Sequence, residues 1–541
     1  MKVAMAQIDT IAGDLEANTQ KIILYIKKAR KEGADMVVFP EMCLSGYPAS
    51  DLLFEEAFLE EQKKKLDTIA LECKGLTAVI GFVDFNKANI SEDGSVKKYN
   101  SAMVITNGTK VGVQSKKLLP TYNVFDEKRY FSFTHESNIF YLKGKKFGVT
   151  ICEDLWDKNY SLKPIRALLD KGAEIIVNIS ASPFHFGRFA QRMELFSGHT
   201  RNGCSVVFVN KVGCQDNGND ILVFDGQSMA FNERGQLVGL AGRFTEEMVV
   251  ADLNSKSHVD IPKFSYDEEV YNALVFSLKD YAQKSGFGKA VIGLSGGIDS
   301  SLCACIAVEA LGKKNVLGVA LPGKNNSPQS AADAKELAKK LGIEFREWDM
   351  NAQFEGFEKD FSKNLKAKLK GTALENLQPR LRMAALMGLS NSEERLLIGT
   401  GNKTEIALGY CTLYGDMTGG LEVIGDISKQ NVYRLAKYAS ARLGNAISEK
   451  IFSKAPSAEL APKQKDPFDY EKVSPIVDLI VEKNYSVKML KEEGHNKQLS
   501  EKTKAMVDAA QFKRKQAPPI IRVTERSFGA GRVYPIINKW N

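Results

Sequence analysis

Metal-binding and disulfide signatures are what this chain lacks first. Its five histidines form no H-E-x-x-H pair and its eight cysteines show no C-x-x-C spacing, so neither a zinc site nor a disulfide framework is indicated. Cys303 and Cys305 fall on a predicted helix, where buried thiols are common. No uninterrupted apolar run is long enough to cross a bilayer, and Met1-Lys2 leads straight into an apolar segment over residues 3–8 rather than into a signal-peptide layout. A cytoplasmic protein with no membrane partner is expected. A net charge of +8 without a long basic run gives no reason to expect nucleic acid, and small anionic substrates account for it equally well. What is present is 541 residues of ordinary globular composition, a length that fits roughly two to four domains.

The strongest local pattern is Ser295-Gly296-Gly297-Ile298-Asp299-Ser300-Ser301. It follows an apolar run that ends at Leu294 and precedes a helix predicted over 301–311. Paired glycines at a strand-to-helix join let successive N–H groups converge on an anion, where the helix dipole adds to the attraction. No Gly-Lys-Ser/Thr follows, which excludes a Walker A loop, and the G-x-G-x-x-G dinucleotide turn is absent. Predicted strands at 316–321 and 344–348 flank a helix at 330–341, a β-α-β rhythm that implies a parallel doubly wound sheet with a nucleotide at its carboxyl edge. A strand over 395–398 exits into residues 399–416, where Glu405 is placed to join Asp299 in holding Mg²⁺ against a triphosphate. The basic cluster 513–515 suits either a phosphate or a solvated face.

The first half opens with a predicted strand at 2–8, a helix at 14–32 and a buried strand at 35–39, which delivers Glu41 just past its carboxyl end. A hairpin turns at Asn107-Gly108 and runs into Lys116 and Lys117. A strand at 146–151 delivers Cys152. A cysteine near a carboxylate and a lysine has what a thiol nucleophile needs, namely a base for its proton and a cation for the developing oxyanion. Further strands are expected at 175–179, 206–210 and 227–231, and the polar loop 180–188 after the first of these could wall a substrate pocket. Residues 252–263 are polar, contain Pro262 and lack periodicity, and a helix is expected at 268–284.

Segments around Glu41, Lys116 and Cys152 resemble the nitrilase superfamily, which implies an αββα sandwich and a Glu-Lys-Cys triad acting on amides or nitriles. By position the resemblance implies Cys152 as nucleophile, Glu41 as general base and Lys116 as the group that stabilises the tetrahedral intermediate. Lys116 is chosen by counting three residues back from Leu119, and Lys117 stays open as the alternative. Glu127 matches a second glutamate of that superfamily; Tyr122, Ser180, Ser182 and Arg188 complete the expected glutamine contacts. Ser-Gly-Gly-x-Asp-Ser resembles the pyrophosphate loop of the N-type ATP pyrophosphatases.

The chain as a whole resembles the glutamine-dependent NAD⁺ synthetases. That likeness implies a nitrilase-like glutaminase domain at 1–258 and a synthetase domain at 259–541, with a linker near 255–266. It further implies ATP contacts at Ser295, Gly296, Gly297, Ile298, Asp299, Ser300, Ser301, Thr400, Lys429 and Ser457. Deamido-NAD⁺ contacts are expected at Arg380, Asn402 and Lys513, and Mg²⁺ at Asp299 and Glu405. Arg382, in the same basic segment as Arg380, matches that family too. The expected partners are glutamine, ATP and deamido-NAD⁺ in a homo-oligomer, with ammonia passing between the two sites along an enclosed path. Two rival readings are another amidating enzyme with the same phosphate loop and a stand-alone amidase with a nucleotide-sensing second half.

Overall fold

The computed structural model describes every residue except Asp93, Arg201, Asn202, Asn219, Lys463 and Asn541. The chain divides into two compact units, one of Met1–Asn217 with Leu222–Lys263 and one of Gly218–Ile221 with Phe264–Asn541. Among the described residues no helix is long and apolar enough to cross a membrane.

In the first unit the period-2 alternation of strand residues builds four layers. Along the strand Lys2–Gln7, Val3 and Met5 face the second sheet, while Ala4 and Ala6 face Ile22, Ile26 and Ile69 on the helices Leu15–Lys31 and Glu56–Glu72. Between the two sheets Val38, Val79 and Val104 meet Val149, Val177 and Val207. The second sheet is covered by Ile165 and Leu168 of the helix Pro164–Asp170 and by Phe189 and Phe196 of the helix Arg188–Thr200. This is the αββα sandwich that the sequence predicts. Parallel strands Lys145–Ile151, Ile175–Ser180 and Ser205–Asn210 lie side by side, so their carboxyl ends release Cys152, Ala181 and Lys211 along one edge.

The second unit is built on a parallel sheet in which Ala290–Gly293 lies between Val316–Ala320 and Leu396–Gly399. Leu421–Glu422 and Ile520–Arg522 extend it on one side and Glu344–Glu347 on the other. Helices Asn351–Leu365 and Thr372–Glu393 supply Phe354, Leu381 and Leu386 against Val291, Leu317 and Leu397. The helix Ile298–Leu311 is buried on nearly every side. After Glu344–Glu347 the chain returns across the sheet to the far side of Ala290–Gly293, which makes that central strand the switch point where such sheets bind ligands.

That helix begins at Ile298, three residues before the position predicted from the sequence. Gly297 stays extended as its cap, and the Ser300 and Ser301 hydroxyls donate to the Gly297 carbonyl at 3.2 and 2.7 Å, which completes the first turn. Gly296 has φ +73°, and a Cβ there would lie 2.2 Å from the Ser330 carbonyl oxygen. No other residue fits that position without displacing the backbone.

One buried cation ties the second unit together. Lys403 is fully buried, with its Nζ 2.7 Å from Glu482, 3.2 Å from Asp426 and 3.4 Å from Asp478. Replacing it by methionine leaves three carboxylates without their countercharge, which costs about 3–5 kcal/mol. Denaturant unfolding of Lys403→Met checks this, and a loss below about 1 kcal/mol would contradict it.

Candidate active sites

Glu41, Lys116 and Glu127 converge in the first unit. Lys116 Nζ lies 2.7 Å from Glu41 Oε1 and 2.8 Å from Glu127 Oε1, with all three side chains buried. Glu41 Oε1 also accepts from Asn100 Nδ2 at 2.7 Å, and its Oε2 accepts from the Ala181 N–H at 2.8 Å. Both oxygens therefore serve as acceptors, as an ionised carboxylate requires. Burial works against the Lys116 ammonium, but Glu127 and then Glu41 outweigh it and hold its pKa well above the ordinary lysine value. Tyr47 donates to Glu127 Oε1 at 2.9 Å, while Glu127 Oε2 is buried with no hydrogen-bond partner among the described residues. Burial pushes the Glu127 pKa up, with Lys116 opposing and Glu41 adding to the rise.

Cys152 follows the strand Lys145–Ile151 and has φ +43°, a left-handed conformation that costs a side-chain-bearing residue on the order of 1 kcal/mol or more. Burial raises its thiol pKa well above the usual value; Glu41 adds to this and Lys116 opposes it. Glu41, Lys116, Glu127 and Glu153 all lie within electrostatic reach of the thiol. Asp154 fixes this turn to the lysine segment. Its Oδ2 accepts from Ile151 N at 3.1 Å, and its Oδ1 accepts from Lys117 N and Leu118 N at 3.0 and 2.9 Å. Nothing in the sequence pattern singled out Asp154, because the contact joins residues far apart in the chain. The two adjacent lysines diverge. Lys117 Nζ reaches Ser137 Oγ and the His135 carbonyl rather than the glutamates.

Beside the cysteine, Glu153 is buried and accepts from both Tyr122 Oη, at 3.0 and 3.1 Å, and Tyr160 Oη, at 2.9 Å. Arg188 lies within electrostatic reach of Glu153 and stacks 4.1 Å over the Trp156 ring. Ser182 Oγ accepts from Arg188 Nε at 3.4 Å, and its carbonyl accepts from Arg192, which also donates to both carboxylate oxygens of Asp225. Ser180 donates its hydroxyl to Asn178 Oδ1 at 2.7 Å. Glu153 is the functional candidate that sequence reasoning missed here, since a glutamate next to a cysteine carries no signal of its own.

In the second unit a cleft opens at the carboxyl ends of the central strands, lined by Ser295, Gly297, Ile298, Asp299, Ser300, Thr400, Glu405, Lys429 and Ser457 among others. Lys429 Nζ lies 2.5 Å from Asp299 Oδ2 and 3.1 Å from Glu405 Oε1. Burial opposes its charge, but Asp299 and then Glu405 hold its pKa above the ordinary lysine value. Glu405 itself is pushed up by burial, with Lys429 opposing and Asp299 adding. Two half-buried carboxylates that one lysine leaves incompletely neutralised, both with hard oxygen donors, fit a divalent cation. Asn402 caps the helix Lys403–Leu408 through Glu405 N at 3.1 Å and donates to Asp299 Oδ1 at 2.8 Å, so it positions both carboxylates.

Other predicted contacts are engaged elsewhere. Ser457 Oγ donates to the Gln464 carbonyl at 2.6 Å while still lining the cleft. Gly296, Ser301, Arg380, Asn402 and Lys513 are not among the residues that line it. Exposed Arg380 donates to the Leu413 carbonyl at 3.1 Å, and Lys513 Nζ donates to the Gly409 and Cys411 carbonyls at 2.7 and 2.6 Å. Arg382 does line the cleft, donating to Leu321 O at 2.9 Å and Asn326 Oδ1 at 2.8 Å. The two first-unit lysines give a direct test. Lys116→Met is expected to lower hydrolysis of an amide substrate at this site by about 100-fold or more, and Lys117→Met by less than about 5-fold, since its Nζ does not meet the glutamates. Steady-state release of the acid product measures both, and the reverse order would contradict this geometry.

A carbon-nitrogen hydrolase profile matches residues 2–262 and an NAD synthase profile matches residues 270–517. The glutamine-dependent NAD(+) synthetase of Synechocystis sp. is 38% identical, over 99% of this chain and 98% of that one. The enzyme of the same name from Acinetobacter baylyi is 36% identical over 100% and 98%. Among solved structures, the glutamine-dependent NAD⁺ synthetase from Acinetobacter baumannii in complex with adenosine diphosphate superposes with a TM-score of 0.78 at 35% identity, covering 100% of this chain and 99% of that one. With both profiles in order and such identity along its full length, the chain belongs to the glutamine-dependent NAD⁺ synthetases.

Proposed function

We infer that the protein hydrolyses glutamine at Cys152 and uses the nitrogen to amidate deamido-NAD⁺ after ATP-dependent adenylation, releasing NAD⁺, AMP, pyrophosphate and glutamate. The observation that carries this reading is the pairing, in one chain of this family, of a buried Glu41–Lys116–Cys152 site with a phosphate-loop cleft. At the first site Glu41 takes the Cys152 proton as sulfur attacks the amide carbon, and Lys116 offsets the charge that develops on oxygen. The unpaired Glu127 Oε2 accepts an N–H of the substrate amide. Glu153 and Arg188 carry opposite charges side by side, which matches the ammonium and carboxylate of a free α-amino acid.

At the second site the N–H groups around Ser295–Gly297 and the start of the helix Ile298–Leu311 hold the leaving pyrophosphate. Asp299 and Glu405 would hold Mg²⁺, which when bound supplies charge neutralisation at the phosphates. Lys429 supplies a further fixed positive charge at the same place. Adenylation converts the nicotinate carboxylate, whose oxygen is a poor leaving group, into a mixed anhydride from which AMP departs.

Cys152→Ala separates the two chemistries. It is expected to abolish NAD⁺ synthesis from glutamine, a loss of about 1,000-fold or more, while synthesis from added ammonium stays within about 3-fold of the parent. Production of NAD⁺ and AMP measures both arms, and absence of AMP with either nitrogen source would overturn the reading.

A further inference from the structure

The sheet of the second unit carries one more acidic group at the cleft, on a strand that the phosphate loop does not use. Leu421–Glu422 pairs in parallel with Leu396–Gly399, with Gly399 opposite Glu422. Leu396–Gly399 alone separates the Glu422 strand from Ala290–Gly293, which leads into the phosphate loop. Glu422 is 2% exposed and lines the cleft. Its Oε2 accepts from the Gly401 N–H at 2.9 Å, and among the described residues no hydrogen bond reaches Oε1.

The position is built for a carboxylate. A Cβ on Gly399 would lie 2.4 Å from Glu422 Cδ, and one on Gly401 would lie 3.4 Å from Oε2. The Gly399-Thr400-Gly401 exit therefore leaves room for this side chain, a reason for those glycines that phosphate binding alone does not supply. Among the described residues no cation forms an ion pair with it. The ionised groups that bear on it are Asp416 and Glu405, both acidic, and the thiols of Cys303 and Cys411 lie within electrostatic reach. Burial first, then Asp416 and Glu405, pushes its pKa up to about 8. A buried carboxylate in acidic company with one free oxygen on a cleft attracts a small cation that can donate protons.

We propose that Glu422 captures the incoming nitrogen as ammonium and accepts its proton through Oε1, delivering neutral ammonia to the adenylated carboxylate. This rests on the amidation reading of the same cleft. The N–H bond of ammonium breaks toward Glu422, and the freed lone pair forms the C–N bond with the acyl carbon. The C–O bond to AMP then breaks with its electron pair on the phosphate oxygen. That oxygen takes the second proton shed by nitrogen, and Glu422 returns the first proton to water on product release. A general base matched to its substrate's acidity in this way contributes on the order of 100-fold or more.

The experiment uses the full chain and two added nucleophiles. Ammonium arrives protonated, whereas hydroxylamine is largely neutral at neutral pH and needs no such base. In Glu422→Gln, synthesis from ammonium is expected to fall about 100-fold. Hydroxamate formation from hydroxylamine, and deamido-NAD⁺-dependent exchange of labelled pyrophosphate into ATP, are each expected to fall less than about 5-fold. Equal losses with both nucleophiles, or loss of exchange, would overturn the proposal. Should Glu422→Gln fail to fold, Glu422→Asp decides: a raised ratio of hydroxylamine to ammonium rates supports the proposal, and an unchanged ratio overturns it. Absence of exchange in the parent protein would instead overturn the amidation reading itself.

Discussion

An ammonium group moved out of water stays charged only where carboxylates offset its lost hydration, and both sites of this chain depend on that balance. Lys116 is held between Glu41 and Glu127, and Lys429 between Asp299 and Glu405. In each case the three groups come from separate segments, so the ion contacts fix loops that no single secondary element could hold in place. The backbone around them is secured by further polar contacts. Asp154 binds three N–H groups beside the cysteine, and Asn402 holds both Asp299 and the first turn of the helix that carries Glu405.

The same arrangement serves different chemistry because the surroundings differ. Around Lys116 the charges are enclosed, and burial holds the Cys152 thiol pKa up beside them. Around Lys429 the acidic groups outnumber the lysine, and Glu422 and Asp416 add to that excess along the cleft wall. A polyphosphate brings its own negative charge there, so a divalent cation would serve both partners. An acidic cleft also receives an incoming ammonium better than a basic one.

Much of this was legible in the sequence because strand ends and turns carry strong local signals. The apolar runs before Glu41, Cys152 and Ser295 read correctly as strands, and the Asn107-Gly108 turn is where the hairpin folds. The choice between Lys116 and Lys117 was not legible from side-chain chemistry, since adjacent lysines differ only in which way the backbone points them. Glu153, Asp154 and Glu422 carried no motif, and their importance comes from burial and from partners far along the chain. The basic cluster 513–515 shows the opposite case: Lys513 and Arg514 donate to backbone carbonyls at the end of a short helix, a use that charge alone does not distinguish from phosphate binding.

The central claim is that nitrogen freed at the Cys152 site is the nitrogen that attacks the adenylated carboxylate. Supplying glutamine labelled with ¹⁵N at its amide together with an excess of unlabelled ammonium tests it directly, with the isotope read in the carboxamide of the NAD⁺ formed. The account predicts a label content well above that of the mixed ammonium pool. Complete dilution to the pool value would contradict it.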